Sequence, residues 1–226
     1  MARSVIVTGG FGILGEAVAQ AFADGGDKVA RIDFAPEAKA AIPGVLDIGG
    51  VNLTDAASTR AALDRVVEVN GGIDVLVNVA GGFTWETLEG GSIDTWAKMQ
   101  AMNLITNATI TQLALPALKA SAAGRIVSIG AGAAIKAGMG MGAYAASKSG
   151  VHRLTEALAE ELAGTTVTVN AILPSIIDTP TNRADMPDAD FSTWVQPSAI
   201  AEVIAFLASE GGRSITGALI PVSRGG

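Results

Sequence analysis

The chain is predicted to fold as an α/β domain with a doubly wound, parallel, seven-stranded sheet. Short apolar runs rich in β-branched residues alternate with helical segments, which is typical of a parallel sheet covered by helices on both faces. The length of 226 residues is enough for one domain with a substantial core. The composition is 49% hydrophobic but only 4% aromatic, with 28 glycines, and suits alanine-packed helices on a valine- and isoleucine-rich sheet. We therefore expect residues 1–226 to form a single domain.

The predicted elements of the first half alternate between strand and helix. Strands are expected at 4–7, 28–33, 45–48 and 73–79, and helices at 13–23 and 55–69. Thr54 is the expected N-cap of the second helix, because a threonine oxygen can accept a hydrogen bond from a free N–H group of the first turn.

The second half begins with a long helix, predicted at 93–119 and broken near Asn103. After it come strands at 125–129, 166–173 and 218–222, helices at 142–162 and 197–209, and a polar loop at 175–196. Pro174 stops the strand that precedes this loop. The whole pattern is Rossmann-like, and ligands of such sheets bind at the carboxyl ends of the strands.

Composition and charge argue against several classes of function. The net charge of −7, without a basic cluster, disfavours nucleic acid or an anionic membrane as a partner. No cysteine is present, and with a single histidine no metal site is expected. Mean hydropathy is +0.42, yet no apolar run reaches the roughly 18 residues of a membrane span, and the N-terminus lacks the pattern of a signal peptide. A cytoplasmic protein acting on a small molecule is expected.

A glycine-rich turn joins the first predicted strand to the first helix. Glycines allow the backbone to approach a pyrophosphate closely, and the helix N-terminus offers free N–H groups and a positive dipole end. A purely structural turn is the alternative, but the strand before it and the helix after it favour phosphate binding. The turn therefore predicts a dinucleotide site that includes Gly9, Gly12, Leu14 and Gly15.

An acid at the end of the second strand indicates which dinucleotide is bound. Asp33 lies 18 residues past Gly15, where a carboxylate would bind the adenosine ribose hydroxyls and repel a 2′-phosphate. NAD(H) is therefore the preferred cofactor. Arg31, expected on the same strand face, could tolerate a phosphate, so NADP(H) stays open. A solvated acid is the alternative interpretation of Asp33.

A phenol and an ammonium lie four residues apart in the predicted helix at 142–162. Tyr144 and Lys148 share one face of that helix, because residues i and i+4 do so. The ammonium is expected to lower the pKa of the phenol from its usual value of about 10. Tyr144 would then be a usable general acid or base near neutral pH.

Together these motifs resemble the short-chain dehydrogenase/reductase family over nearly the whole chain. The matching stretches are Thr8–Gly15, Asn78–Gly81, Asn103, Tyr144–Lys148 and Pro174–Thr179. The resemblance implies an NAD(P)-dependent oxidoreductase with a cofactor half at about 1–135 and a catalytic and substrate-loop half at about 136–226. The implied catalytic residues are Tyr144, Lys148 and Asn103.

The resemblance also implies a role for each motif. Lys148 would hold the nicotinamide ribose, and Asn103 would break the long helix and position a water relay. Thr179 would lie near the nicotinamide carboxamide. The remaining cofactor-binding residues expected are Asn52, Asn78, Ala80, Gly81 and Pro174. The alternatives are a simple helix kink for Asn103 and a loop cap for Thr179.

Two departures from the family pattern narrow the expectation further. Ile13 stands where most members have the middle glycine, and Ala131 stands where a serine normally polarises the substrate carbonyl. Both departures, together with the loop from Asp178 to Trp194, resemble the dihydropteridine reductase branch. A quinonoid dihydropterin is an electron-poor acceptor that has less need of such a donor. The alternatives are a ketone reductase of the same family and, from another class, a non-catalytic NAD(H)-binding sensor.

The expected substrate residues lie in three separate segments. They are Trp85, Ala131, Met139, Met186 and Trp194. For Trp85, Met186 and Trp194, a packing role is an equally open interpretation. Ser128 and Ser147 are candidates to replace the missing hydroxyl. His152 is expected on the helix surface or at an interface, and not as a catalyst. The alanine-rich helices predict a homodimer or homotetramer.

Overall fold

A computed structural model describes residues 2–224, and its core is one parallel sheet in the strand order β3-β2-β1-β4-β5-β6-β7. Every pair of neighbouring strands is parallel. The strands are β1 Ser4–Thr8, β2 Lys28–Ile32, β3 Leu46–Ile48, β4 Val75–Asn78, β5 Arg125–Ile129, β6 Thr168–Pro174 and β7 Leu219–Val222. The strand order reverses between β1 and β4, which creates a crevice at their carboxyl ends. This confirms the predicted fold class.

Helices cover both faces of the sheet. They are α1 Ile13–Asp24, α2 Ala56–Asn70, α3 Ile93–Gln100, α4 Thr106–Ala120, α5 Gly142–Glu161, α6 Pro180–Asp185 and α7 Pro197–Leu207. Because successive strand residues point to opposite faces, Val5 and Val7 belong to the core on one side and Ile6 to the core on the other. Helices α1 and α7 cover the first side, and α2, α4 and α5 cover the second. Burial on both faces explains the continuous apolar runs of the strands.

The long helix predicted at 93–119 is divided, as expected, close to Asn103. Helices α3 and α4 are joined by a π-helical turn, Ala101–Ile105, that contains this residue. The Asn103 side chain bonds to the main chain of Gly82, a partner outside the helix. Single π-helical turns of this kind are frequent at functional sites.

The predicted N-cap of α2 is wrong by one residue. The Asp55 carboxylate, not Thr54, accepts hydrogen bonds from the N–H groups of Ala57 and Ser58, at 2.7 and 3.1 Å. Thr54 instead donates to the side chain of Asn52 through both its N–H and its hydroxyl.

The polar segment at 175–196 has more structure than a loop. Thr179 accepts a hydrogen bond from the N–H of Asn182 and caps α6, which begins at Pro180. A short 3-10 helix, Phe191–Thr193, follows. None of the helices described between residues 2 and 224 is long and apolar enough to cross a bilayer.

Candidate active site

The predicted site segments meet at the carboxyl edge of the sheet. The glycine turn follows β1, the segment from Val79 to Phe83 follows β4, the segment from Gly130 to Ala134 follows β5, and Ser175 follows β6. These four strands are neighbours, in the order β1-β4-β5-β6. The topology therefore brings together residues that lie far apart in sequence.

The glycine turn packs too tightly for side chains at Gly9 and Gly15. Gly9 has φ +61°, and a Cβ atom there would lie 2.9 Å from the main chain of Ala80. A Cβ atom at Gly15 would collide with the carbonyl oxygen of Gly9. Gly12 is the N-cap of α1 and supplies no side chain to cap it, so its first N–H groups stay available to an anion. The turn fits a pyrophosphate; the Leu14 side chain, in contrast, packs into the core, leaving only its backbone for that role.

Asp33 is held beside the glycine turn. Its two carboxylate oxygens accept hydrogen bonds from the N–H groups of Phe11 and Ala35, both at 2.9 Å. Its backbone carbonyl accepts from Val51, which places the exposed Asn52 next to this strand end. The acid thus shapes the turn and keeps lone pairs for a ribose.

Arg31 is buried beside the glycine turn and is paired with an acid. Its side chain is fully buried, binds both oxygens of Asp47 at 2.7 Å and donates to the carbonyl of Ala40. The Phe11 ring covers the guanidinium at 5.3 Å. The charge that could have accepted a 2′-phosphate is therefore neutralised by Asp47.

Two hydrogen-bond groups fix the end of β4. The Thr8 hydroxyl accepts from the N–H groups of Val79 and Ala80, each at 3.1 Å, and so ties β4 to β1 just before Gly81. The Asn78 amide donates to Asn107 and Thr111 of α4, and all three residues are buried. Sequence reasoning missed Thr8 as a support for this turn, although a polar residue in an otherwise apolar strand run was a visible signal.

Asn103 is bonded on every side by protein groups. Its Oδ1 accepts from the N–H of Gly82 at 2.9 Å, and its Nδ2 donates to the carbonyl of Gly82 and to the Ser147 hydroxyl. A Cβ atom on Gly81 would lie 2.5 Å from Asn103 Oδ1 and 3.3 Å from Lys148 Nζ, so glycine permits this approach. The structure therefore gives Asn103 a direct bracing role between the π-helical turn, the segment after β4 and α5.

Tyr144 and Lys148 both lie on α5, but their environments differ from the expectation. Burial raises the pKa of Tyr144 to about 12, and burial lowers the pKa of Lys148 to about 8. The Lys148 ammonium donates to the carbonyl of Ile129, at 2.8 Å. The predicted lowering of the tyrosine pKa is therefore wrong for the chain without cofactor, because the loss of water around the phenol dominates.

No nearby serine supplies the hydroxyl that is missing at Ala131. Ala131 is buried, and its N–H donates to His152 Nε2 at 3.3 Å. The Ser128 hydroxyl, inside β5, accepts from Asn107, and the Ser147 hydroxyl donates to the carbonyl of Tyr144. Neither serine replaces the missing donor. His152 is only 3% exposed, so its predicted surface position is wrong.

An aromatic wall borders the phenol on the open side. The Phe83 ring meets the Tyr144 ring edge-on, with centroids 5.0 Å apart and planes at 86°. Trp85, 54% exposed, lies against the main chain of Gly140, and the Glu86 N–H donates to the Gly140 carbonyl at 2.8 Å. Phe83 directly follows the glycines after β4, but it was not among the predicted site residues.

The remaining substrate candidates separate into open and buried side chains. Met139 is 79% exposed and Met186 is 36% exposed, so both are accessible. Trp194 is 3% exposed and packs against Phe191, so it belongs to the core of its segment and offers no substrate surface. Thr179 uses its hydroxyl to cap α6, which matches the simpler of its two interpretations.

The comparisons with known proteins agree with this architecture. The family model described as short chain dehydrogenase matches residues 3–190. The chain is 32% identical to the 3-oxoacyl-[acyl-carrier-protein] reductase of Thermotoga maritima, covering 97% of this chain and 96% of that one. It is 33% identical to the 2,5-dichloro-2,5-cyclohexadiene-1,4-diol dehydrogenase of Sphingobium indicum, covering 99% and 95%. The ligand-free aldohexose dehydrogenase of Thermoplasma acidophilum superposes with a TM-score of 0.88 at 28% identity, covering 99% and 93%.

The chain therefore belongs to the short-chain dehydrogenase/reductase family. It is an oxidoreductase of the class that uses NAD(P)H.

Proposed function

We propose that the chain is an NADH-dependent reductase of flat, electron-poor C=N or C=O acceptors, with a quinonoid dihydropterin as the preferred substrate. The observation that carries this proposal is the lack of a hydroxyl donor at Ala131, which neither Ser128 nor Ser147 replaces. The site keeps Tyr144 and Lys148 but has no hydroxyl beside them to polarise an ordinary carbonyl. An acceptor that is already electron-poor needs that donor least.

The residues present suit a dinucleotide. The free N–H groups at the start of α1 and the close-packed glycine turn would hold the pyrophosphate, and Asp33 would bind the adenosine ribose. Bound in this way, a reduced nicotinamide would supply hydride to the acceptor. Arg31 is paired with Asp47, which supports NADH over NADPH.

Tyr144 would deliver the proton that accompanies the hydride. The acceptor carbon gains the hydride with its electron pair, the acceptor nitrogen or oxygen gains the phenol proton, and the phenolate is reprotonated from solvent. Burial raises the pKa of Tyr144 to about 12, so the phenol holds its proton at neutral pH and needs a nearby positive charge to become a stronger acid. Lys148, held by the Ile129 carbonyl, would stabilise the phenolate as it forms.

The aromatic wall supports a flat substrate. Phe83 exposes apolar surface against Tyr144, and Trp85 and Met139 are exposed in the segments after β4 and before α5, which suits the stacking of a conjugated ring. The sequence resemblance to the dihydropteridine reductase branch points to the same class of acceptor.

A ketone reductase is the second candidate. It is favoured by the relatives named for 3-oxoacyl reduction and diol dehydrogenation. A non-catalytic sensor is disfavoured, because such a protein would have no need of Tyr144 in addition to its cofactor contacts. In either enzyme the proposed assembly is a homodimer or homotetramer, which light scattering would test.

The deciding experiment follows NADH oxidation by the purified protein with a quinonoid dihydropterin and a panel of activated and simple ketones. Fast pterin turnover with poor ketone turnover supports the proposal. Ketone turnover without pterin turnover establishes the second candidate. Tight NADH binding without turnover of any acceptor would return the sensor hypothesis.

A further inference from the structure

We propose that His152 is a positioning residue that, as a neutral imidazole, clamps the main chain of Ala131 at the edge of the active site. Three hydrogen bonds from two elements hold the chain where it leaves β5. Lys148 Nζ binds the Ile129 carbonyl at 2.8 Å, the Ile172 carbonyl binds the Gly130 N–H at 2.8 Å, and His152 Nε2 binds the Ala131 N–H at 3.3 Å. Lys148 and His152 lie one turn apart on α5, so one helix face supplies both side chains.

The direction of the bond fixes the protonation state of the ring. The Ala131 main-chain nitrogen can only donate, so His152 Nε2 must be the unprotonated acceptor and the proton of the neutral ring lies on Nδ1. A second proton would bind Nε2 and make it a donor that faces the N–H donor of Ala131. The hydrogen bond would then be lost. The clamp therefore exists only while the imidazole is neutral.

The packing leaves no room for a different arrangement. A Cβ atom at Gly130 would lie 2.6 Å from His152 Nε2, so the ring lies directly against the Gly130 main chain. The ring is only 3% exposed, so water does not substitute easily for this partner. The lack of a side chain at Gly130 thus leaves the space that the His152 ring occupies.

The charged groups around His152 favour the neutral ring. Burial lowers its pKa below 6.5, Arg153 and Lys148 lower it further, and Glu156 opposes them. All three charged residues are on α5, and Arg153 is itself paired with Glu156 at 2.8 Å. A Cβ atom at Gly130 would have the His152 ring and the carbonyl oxygen of Ile172 as its nearest neighbours, so no charged atom of β5 or β6 is among them.

The clamp has a consequence for the reaction. It turns the Ala131 N–H toward α5 and away from any substrate, so the backbone cannot serve as the missing donor. It also fixes the main chain of Ala131 in the segment after β5 that borders the site. Loosening it should displace that wall of the site, and a displacement of about 1 Å can cost on the order of 100-fold in rate. This step rests on the proposed function, although the hydrogen bond itself does not.

The chain has a single histidine, which makes the test unusually direct. Nitrogen-15 NMR of the imidazole in the free protein should show one ring with the proton on Nδ1 and a pKa below 6.5. The proton on Nε2, or a pKa at or above that of a free histidine, would overturn the clamp. This measurement needs no substrate, so its result is independent of whether pterin turnover is found.

Kinetics of three variants would then test the positioning role. His152→Gln keeps a non-titrating acceptor and should retain kcat/KM within a few-fold, whereas His152→Leu should lose about 10- to 100-fold with unchanged NADH affinity. Arg153→Gln removes a neighbouring charge without touching the bond, and should retain full activity. Protonation of His152 at acid pH should break the clamp and lower the activity of the wild type. This fall in activity at acid pH should be absent in His152→Gln.

Equal activity of the Gln and Leu variants, or an acid limb that persists in His152→Gln, would show that His152 has no positioning role. Should His152→Leu fail to fold, Gly130→Ala provides a second disruption of the same contact. It should reproduce the loss of activity, and full activity in a folded Gly130→Ala protein would contradict the proposal.

Discussion

Phe83 stands edge-on against the ring of Tyr144, with ring centroids 5.0 Å apart. This contact couples the first residue of the exposed aromatic wall to the proposed proton donor. Edge-to-face aromatic pairs contribute about 0.5–1.5 kcal/mol beyond their burial. Phe83→Leu should therefore raise KM for a flat acceptor by about ten-fold, with a smaller change in kcat, in steady-state assays. A change confined to NADH binding would argue that Phe83 does not face the substrate.

Removal of the phenol hydroxyl should abolish proton delivery. Tyr144→Phe keeps the ring that contacts Phe83, and should lower kcat by about 100-fold or more, the usual contribution of a general acid. NADH affinity, followed by fluorescence titration, should change little. Turnover equal to that of the wild type would refute the proposed role of Tyr144.

Restoring the missing hydroxyl should widen the substrate range. Ala131→Ser places an oxygen where family members polarise a carbonyl, and ketone reduction should rise by up to about 100-fold. Ala131→Val is the matched control, because it adds bulk without a donor. An unchanged ketone rate in the serine variant would show that another group already supplies the donor.

Asp33 should control the choice of cofactor. Asp33→Ser removes the charge that repels a 2′-phosphate, and the ratio of kcat/KM for NADPH over NADH should rise at least ten-fold, equivalent to about 1.4 kcal/mol. The ratio is the useful measure, because the bonds to Phe11 and Ala35 are also weakened. A wild-type enzyme that already prefers NADPH would overturn the assignment.

The buried ammonium of Lys148 should leave a signature in the stability of the free protein. Its pKa is about 8 when folded and 10.5 when unfolded, so between these values the unfolded chain binds the extra proton. The free energy of unfolding should therefore rise with pH from about 8 to 10, by about 1–3 kcal/mol. The cost of burying the charge is fully present below pH 8.

Denaturant unfolding at several pH values would measure this slope. Lys148→Met should remove it, and Tyr144→Phe should preserve it. Tyr144 changes the free energy of unfolding in the opposite direction and at higher pH. Its pKa is raised from 10.0 to about 12, so above about pH 10 the folded chain binds the extra proton and the free energy of unfolding falls with pH. A flat wild-type profile between pH 8 and 10 would contradict the burial of a charged Lys148.

The parts of the molecule that follow from local patterns could be predicted from the sequence. The parallel, doubly wound sheet follows from the alternation of strands and helices, and the break near Asn103 was expected from the family resemblance. The bond between His152 and Ala131 could not be predicted, because it joins a helix to a strand end 21 residues away. The burial of Trp194 likewise depends on its contact with Phe191 in a folded segment that appeared to be a loop.

The tyrosine pKa shows a different limit. Helical spacing correctly placed Tyr144 and Lys148 on one helix, but spacing carries no information about desolvation or about competing partners. The carbonyl of Ile129, at the end of β5, accepts a hydrogen bond from the Lys148 ammonium. The direction of the pKa shift is therefore a property of the tertiary structure.

The link between Glu86 and Gly140 has a consequence for redesign. The Trp85 indole lies against Gly140, and the Glu86 N–H donates to the Gly140 carbonyl. These two contacts connect the segment after β4 to the segment before α5. Gly140 also has φ +74°, a conformation that few other residues adopt. Replacing only one of these segments with that of a relative would break both contacts, whereas replacing the two segments together would preserve them.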